Sequence, residues 1–254
     1  MPLFGSLDVE AALADAPTIT TLTPETWSLP GAELVQVSYE VDEAEALTVT
    51  PPACHPSIPP YATFSTIRFP SSPHGPFNLA MIRLIVRAGI RPRGLLLASF
   101  TDNAEVAAAL AAGWGYKIKV AEVEFSRRYG AVRGTVSIDG ATALDVSLRD
   151  PEPVSGGDLE LFDNLHLANL GDGVDEPGSG VIVQVDPGYE YSAADRGDAE
   201  LTTFEAAALG VTGLVPVYRV VAVACQADLE LNAPRFVMDP VKPAIQGTRR
   251  LATA

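Results

Sequence analysis

The fold is decided by one stretch, Ser99-Phe-Thr-Asp-Asn-Ala-Glu-Val-Ala-Ala-Ala-Leu-Ala-Ala-Gly-Trp-Gly-Tyr-Lys-Ile-Lys-Val120. It opens at the end of an apolar run of strand length. Thr101-Asp-Asn103 then offers side-chain oxygens to cap an alanine-rich helix over Ala104–Ala112. Gly113 is a natural stop for that helix, and the lysine-bearing residues after Tyr116 alternate as a strand does. The stretch therefore predicts strand, helix and strand in succession.

Outside this stretch the pattern is mainly that of strands separated by turns rich in proline and glycine. A second helix is predicted over Ala199–Leu209, ending at Gly210. Short turns join most neighbouring strands, which favours a mainly β (α+β) fold with a mostly antiparallel sheet, closed or folded into a barrel. The whole chain, 1–254, is expected to be one domain with residues 1–32 as a lead-in segment. The predicted strands are Leu34–Tyr39, Thr63–Phe69, Leu79–Val86, Gly94–Phe100, Tyr116–Phe125, Gly130–Ile138, Thr142–Leu148, Leu159–Leu170, Val181–Val185 and Leu214–Leu231.

The charge of the chain excludes two classes of partner. The formal net charge is −15, and no cluster of Lys and Arg offsets it, so we expect no binding to nucleic acid or to anionic membranes. The first residues lack the basic and apolar regions of a signal peptide, and no apolar run reaches the ~18 residues of a membrane span. A cytoplasmic protein is the resulting expectation.

Cysteine and histidine give no sign of a metal or a disulfide. The two cysteines, Cys54 and Cys225, lie far apart, and no pair among the three histidines has the spacing of metal ligands. No glycine loop for phosphate and no Gly-x-Ser-x-Gly motif is present. We therefore predict that the protein has neither metal nor cofactor.

Residues 76–125 resemble the acetoacetate decarboxylase-like family. The resemblance rests on Gly75-Pro-Phe-Asn78 before a strand, Ser99-Phe-Thr-Asp-Asn103 at the helix start, and Gly113-Trp-Gly-Tyr116 before a lysine-bearing strand. It extends upstream to Val35–Tyr39 and downstream to Val217–Met238, so it covers nearly the whole chain. The resemblance implies the barrel-like fold of that family, an assembly of several subunits, and a small carbonyl compound as substrate.

The family's usual chemistry is decarboxylation through a Schiff base. A lysine amine attacks the ketone of the substrate, and the resulting iminium accepts the electrons released as carbon dioxide leaves. The amine must be neutral, which desolvation and a neighbouring cation both favour by lowering its pKa. A glutamate and an arginine in the same pocket help to handle the substrate.

This sequence departs from the family where that chemistry occurs. Alignment on Gly115-Tyr116 places Ile118 at the nucleophilic lysine. Leu79 takes the place of the pocket glutamate, and Tyr39 falls close to the position of the arginine. Three changes that each remove a charge predict an apolar pocket.

Two lysines remain beside the missing one. Lys117 and Lys119 share one face of a strand, and Ile118 points to the other, unless a bulge near Val120 changes the register. Each lysine is either a reactive amine or a solvated side chain paired with a carboxylate. His166, on an apparent strand, is either an acid–base group in the cavity or a structural histidine.

These alternatives leave three functional hypotheses. The first is an enzyme that acts on an apolar, polyketide-like carbonyl compound by cyclisation, isomerisation or dehydration, without a covalent intermediate. The second is a Schiff-base lyase that uses Lys119 or Lys117, and the third is a non-catalytic carrier. The candidate catalytic residues are Lys119, Lys117, Tyr116 and His166, and the candidate substrate-binding residues are Tyr39, Arg68, Asn78, Leu79, Trp114 and Ile118.

Overall fold

The computed structural model describes residues 3–89, 91–159, 161–172, 174 and 179–251. Strands dominate these residues. They are β1 (Thr18–Ile19), β2 (Trp27–Val41), β3 (His55–Pro56), β4 (Tyr61–Phe69), β5 (Phe77–Arg87), β6 (Pro92–Thr101), β7 (Ile118–Val120), β8 (Glu122–Arg128), β9 (Ala131–Ile138), β10 (Ala141–Pro153), β11 (Asn164–Leu170), β12 (Gly180–Val185), β13 (Gly188–Phe204), β14 (Pro216–Leu231), β15 (Phe236–Met238) and β16 (Thr248–Arg250). The helices are α1 (Val9–Ala14), α2 (Glu43–Val49), α3 (Ala104–Trp114), α4 (Ala206–Leu209) and α5 (Ala244–Gly247), with a single 3₁₀ turn at Gly156–Asp158.

The strands form one large, mostly antiparallel sheet. Its order is β16-β15-β12-β11-β6-β5-β4-β2-β14-β13-β10-β9-β8, so the two ends of the path are different strands and the sheet does not close. It folds back instead, because β8 and β9 pack against β4 and β5. The mainly β fold is confirmed, and of the two predicted arrangements the sheet is the folded one.

Folding back gives the central strands two buried faces and the protein two apolar cores. The first core lies between β2, β4, β5 and the returning strands, and includes Val37, Phe64, Ile82, Val136 and Leu144. The second core lies on the other face and includes the apolar side of α3. Its members include Leu34, Ile67, Leu79, Met81, Leu110 and Trp114. A strand between two cores has apolar residues in succession, which is why Leu79–Val86 showed no alternation.

The predicted helix is confirmed, with its end two residues later than the glycine rule indicated. The Asn103 side chain accepts hydrogen bonds from the backbone N–H groups of Glu105 and Val106. Trp114 is the last helical residue, and Gly115 ends the helix at φ 68°, a left-handed conformation that favours glycine.

Two sequence predictions change in the structure. Residues 199–204 belong to β13 and pair with β10, and only α4 is helical before Gly210. Pairing with β10 buries Ala199 and satisfies the backbone, which outweighs a weak helix propensity. The strand predicted over Tyr116–Phe125 is split at Ala121, where the sequence indicated a change of register near Val120.

The sheet folds back most tightly where β9 crosses β4. A Cβ atom at Gly134 would lie 2.2 Å from the Oγ1 atom and 2.4 Å from the Cβ atom of Thr66, too close for any real contact. We predict that Gly134→Ala lowers the free energy of unfolding by about 1–3 kcal/mol through overpacking.

Urea denaturation measures this effect, with Gly188→Ala as the matched control. Gly188 also lies in a strand, but its added Cβ would meet nothing closer than 3.8 Å. Equal stability of the two variants would show that the contact between β9 and β4 tolerates a methyl group.

Candidate functional site

The second core contains a small cavity that two of the candidate residues line. Leu79 from β5 and Tyr116 from the turn before β7 line it, together with Asn164 from β11 and Tyr189 from β13. Its volume is about 20 Å³, enough for a water-sized group. The remaining lining residues are Trp27, Leu29, Ile67, Phe69, Phe77, Met81, Leu110, Pro187, Leu229 and Leu231.

Apolar side chains occupy this core at two of the three positions where the resemblance implies charges. Leu79 is buried on the cavity wall, and Ile118 is half-buried and packs against the same core. Tyr39 does not reach the cavity, because odd-numbered residues in this part of β2 face the first core. Its ring packs edge-on against Phe64 with 6.3 Å between centroids.

Both lysines lie on the opposite side of β7 from Ile118. The Nζ atom of Lys117 is 3.1 Å from the Oδ2 atom of Asp15, and the side chain lines a separate cleft of about 160 Å³, the outer cleft. Lys119 is exposed, and its Nζ atom approaches Gly210 on the wall of that cleft. The pKa of Asp15 is lowered, mainly by the hydrogen bond and charge of Lys117. Lys117 is thus paired with a carboxylate and lines the outer cleft, outside the cavity.

A buried arginine lies directly behind the cavity wall. Arg83 on β5 is 2% exposed, and its Nη1 donates to the Oδ1 atom of Asn164 at 2.8 Å and to the Phe162 carbonyl at 3.3 Å. Its Nη2 donates to the Oε1 atom of Gln36 at 2.5 Å. A Cβ at Gly94 would come within 2.9 Å of the Arg83 Cδ, so glycine leaves room for the side chain across β6.

This guanidinium has no counterion among the described residues. Its three hydrogen-bond acceptors are all neutral, and the Arg83 Nε atom has no partner. Burial lowers the pKa of Arg83, but an arginine remains charged at neutral pH. A buried, unpaired charge costs several kcal/mol, and proteins seldom retain one without use.

His166 provides a neutral base beside the arginine. Its Nδ1 atom lies 2.8 Å from the Trp114 carbonyl oxygen, which only accepts, so Nδ1 carries the hydrogen and Nε2 is left with its lone pair. The Nε2 atom is buried and has no hydrogen-bond partner in the part of the chain that the structure describes. Burial lowers the pKa of His166 to about 4, and the positive charge of Arg83 adds to this effect. The imidazole is therefore neutral at physiological pH.

Tyr116 connects His166 to the cavity. The two rings meet nearly edge-on with 4.3 Å between centroids, and Tyr116 itself lines the cavity wall. Burial raises the pKa of Tyr116 to about 12, which keeps the phenol protonated and able to donate a hydrogen bond.

Two further buried hydroxyls extend the polar region. Thr63 on β4 lies directly across from Arg83, and Ser65 lies directly across from Gln36 and Met81. Among the described residues, neither the Thr63 Oγ1 atom nor the Ser65 Oγ atom has a hydrogen-bond partner. With the Nε atom of Arg83 and the Nε2 atom of His166, four buried polar atoms on this face lack a partner among the described residues. Each such atom costs about 1–3 kcal/mol, so the face is suited to binding a polar group of a ligand.

The structure gives the remaining candidates structural roles. Arg68 is half-exposed and forms an ion pair with Glu33, and its guanidinium lies 5.8 Å from the Phe125 ring centroid. Asn78 points away from the cavity, with its side chain donating to the Asp102 carboxylate at 2.7 Å and to the Val123 carbonyl at 3.0 Å.

Trp114 is also structural. Its Nε1 atom donates to the Asn232 carbonyl at 2.7 Å, and its ring packs against Trp27. Its backbone carbonyl nevertheless fixes the tautomer of His166.

Sequence reasoning placed Tyr116, His166, Leu79 and Ile118 near one core but missed Arg83. A signal was present, because Arg83 interrupts an otherwise apolar run from Leu79 to Val86. A charge in the middle of a strand buried on both faces requires a partner, and such a partner lies on another strand, beyond the reach of a local pattern. Gln36 interrupts Leu34-Val-Gln-Val37 in the same way.

The part of the chain that the structure describes has neither a metal-binding cluster nor a membrane-spanning helix. No group of three or more His, Cys, Asp or Glu side chains there is arranged to hold a metal ion. None of the described helices has the length and apolar character needed to cross a membrane.

Solved structures share this fold. The acetoacetate decarboxylase of Legionella pneumophila aligns with a TM-score of 0.73 at 18% identity, over 83% of this chain and 86% of its own. The enduracididine biosynthesis enzyme MppR, complexed with pyruvate, gives 0.69 at 19%, over 84% and 90%. An acetoacetate decarboxylase-like enzyme from Sphingomonas wittichii RW1 gives 0.64 at 14%, over 84% and 94%. At these identities the likeness shows the fold alone.

Sequence comparison identifies the family. A search of curated proteins found no match to the chain. The family model described as acetoacetate decarboxylase matches residues 15–241. Because that match spans most of the 254 residues, the protein belongs to the acetoacetate decarboxylase family.

Proposed function

We propose that the protein is a small-molecule enzyme that acts on an apolar, carbonyl-bearing compound by noncovalent acid–base catalysis. Membership of the acetoacetate decarboxylase family supports a small-molecule enzyme. One observation carries the finer proposal. The second core has a neutral imidazole with a free Nε2 atom beside its cavity, whereas both nearby lysines lie on the other side of β7.

The proposed chemistry follows from the groups at the cavity. The Nε2 atom of His166 removes a proton from the carbon next to a carbonyl group, and the Tyr116 phenol donates a hydrogen bond to the carbonyl oxygen as its negative charge grows. The enol or enolate so formed is the common intermediate of isomerisation, cyclisation and dehydration. No nucleophilic amine is required.

The cavity walls indicate the substrate. They are mostly leucine, phenylalanine, tryptophan and methionine side chains, which favour an apolar molecule such as a polyketide-like intermediate. Ligand pockets usually measure some 300–1,000 Å³. The cavity measures about 20 Å³, so the proposal requires its lining side chains to move apart when substrate enters.

This function is tested by proton exchange. Simple apolar ketones and 1,3-diketones are incubated with the protein in deuterium oxide, and deuterium at the carbon next to the carbonyl is followed by nuclear magnetic resonance. We expect exchange faster than in buffer alone. A ketone that binds without faster exchange would favour the non-catalytic carrier.

One observation favours a second candidate function. Lys117 lines the outer cleft, whose volume of about 160 Å³ would hold a small apolar ketone, and this favours Schiff-base chemistry there as the second candidate. It would require Lys117 to leave its ion pair with Asp15 and lose a proton. Lys119, on the rim of the same cleft, is the other amine available for this route.

We predict that borohydride traps no stoichiometric adduct. The protein is incubated with acetoacetate, pyruvate and longer 2-oxo acids, borohydride is added, and intact mass is measured. A lysine-dependent acetoacetate decarboxylase treated in parallel shows that trapping works. A full equivalent of adduct on Lys117 or Lys119, absent from the Lys117→Gln and Lys119→Gln variants respectively, would establish the second candidate function instead.

Self-association and a cytoplasmic location stay predictions. The first follows from the family and is measured by light scattering of the purified protein.

A further inference from the structure

We propose that Arg83 stabilises the negative charge that develops on the substrate in this site, as a fixed cation that binds the enolate oxygen. This inference rests on the proposed function and deepens it. In the family's usual reaction a positive iminium formed on lysine accepts electrons from the substrate. Here the resemblance places Ile118 in that position, and a permanent positive charge lies behind the cavity wall on a different strand, β5.

The argument begins with the hydrogen-bond capacity of Arg83. A guanidinium has five N–H donors, and described acceptors engage three of them, two on Nη1 and one on Nη2. Nε has no partner, so at least one N–H remains for a ligand. The groups that hold the side chain are all neutral, so they fix its orientation and leave its charge uncompensated.

The second step is position. One hydrogen bond of 2.8 Å separates Arg83 from Asn164, which lines the cavity, and Thr63 with its free Oγ1 atom lies directly across the strands. His166 packs against Tyr116, also on the wall, and its Nε2 atom faces no acceptor or donor. The Arg83 donor lies behind Asn164, and the basic nitrogen of His166 lies behind Tyr116, in the lining of one cavity. In this proposal, substrate reaches both groups when the lining side chains separate.

The third step is the chemistry that such a pair performs. The C–H bond next to the carbonyl breaks, and its proton passes to the Nε2 atom of His166. The electron pair of that bond forms a carbon–carbon double bond, and the carbonyl π pair moves onto oxygen. The oxygen becomes an anion beside the Arg83 guanidinium, whose orientation is already fixed by its three neutral acceptors. No oxidant or further reactant is needed.

A structural role alone does not explain these observations. An arginine kept for stability would be expected to have a carboxylate partner, because breaking or omitting such a pair leaves a costly buried charge. The described residues supply Gln36, Asn164 and a backbone carbonyl instead. An anion that arrives with the substrate completes the pair.

Pentane-2,4-dione tests the inference directly. This 1,3-diketone is small, and its neutral enol and its enolate absorb at different ultraviolet wavelengths. We expect the wild-type protein to bind it at neutral pH and to shift the bound compound toward the enolate. The Arg83→Met variant should bind about 10- to 100-fold more weakly and lose the enolate spectrum, as loss of a hydrogen bond to a charged group implies.

Two further variants separate charge from folding. Arg83→Lys keeps the charge and should retain the enolate spectrum at reduced affinity, whereas Arg83→Gln should lose it. Circular dichroism shows whether each variant is folded. If Arg83→Met does not fold, the comparison of Arg83→Lys with Arg83→Gln carries the test.

The double variant Lys117→Gln/Lys119→Gln, which lacks both lysine amines, is tested with the diketone in the same way. A covalent adduct seen by intact mass in the wild type but not in this variant would defeat the noncovalent function, and the spectrum of the variant would still test Arg83. Two results overturn the inference: binding of the neutral enol with equal affinity to wild type and Arg83→Met, or no binding of the diketone at all.

Discussion

Replacing His166 with asparagine is expected to slow proton exchange at the carbon next to the carbonyl by about 10²- to 10⁴-fold, the usual contribution of a positioned general base. Asparagine suits the test because its amide nitrogen takes the place of Nδ1. The bond to the Trp114 carbonyl, 2.8 Å in the wild type, can then be kept while the Nε2 lone pair is lost. The exchange assay in deuterium oxide measures the effect.

The chain offers a matched control at His55. Its Nδ1 atom also lies close to a backbone carbonyl, that of Leu3 at 2.9 Å, and its ring also packs against an aromatic side chain, Phe4. His55 lies outside the cavity, so His55→Asn should exchange like the wild type. Retention of full activity by His166→Asn would remove the imidazole from the mechanism.

The second large effect is on stability in acid. The folded state holds His166 neutral, with a pKa lowered to about 4 by burial and by Arg83, whereas the unfolded state has the ordinary value of 6.5. Between these values the unfolded chain binds more protons than the folded protein, so stability falls as pH falls. The loss is nearly absent at pH 7, about 2 kcal/mol at pH 5 and about 3 kcal/mol at pH 4.

Urea denaturation of the wild type and of His166→Asn at each pH measures this loss. The carboxylates are the same in both proteins, so the difference between their unfolding free energies isolates the imidazole. We expect the wild type to lose stability relative to the variant on acidification. A constant difference from pH 7 to pH 4, or one of opposite sign, would mean that His166 is hydrated or paired in the folded state.

Local patterns predicted much of the fold. Thr63–Phe69, Leu79–Val86 and Gly94–Phe100 each fall within one strand of the structure, because apolar runs and turn residues are local signals. Helix α3 was recognisable for the same reason, since its cap and its alanines are adjacent in sequence.

Long-range pairing was not predictable in the same way. Residues 199–204 have the composition of a helix, and only the partner strand β10, some 50 residues away, makes them a strand. Whether the sheet closes also depends on which edges meet, and no local pattern reports that. The return of β8 and β9 onto β4 and β5 leaves the edges apart.

The candidate site also divides into residues that local sequence indicated and residues that only the three-dimensional structure reveals. The expectation that Ile118 and Leu79 stand where the family has charged residues came from the resemblance of the surrounding sequence. Arg83 has no counterpart in that motif, and its proposed role rests on the fact that its acceptors among the described residues are all neutral. Tyr39 was expected to line the cavity because of its place in a loose alignment. The alternation of side chains along β2 turns it to the first core instead.

The short strand β7 bears on how this architecture can change over evolutionary time. It has three residues and pairs with β6 through Ser99, Phe100 and Thr101, and one of its side chains, Ile118, reaches the second core while Lys119 and Val120 are exposed. The long strands around it contribute side chains to both cores, so most substitutions in those strands disturb packing. We therefore expect an exchange of the half-buried side chain at position 118 to disturb packing less than one in those strands, so a nucleophile can be gained or lost there without rebuilding either core.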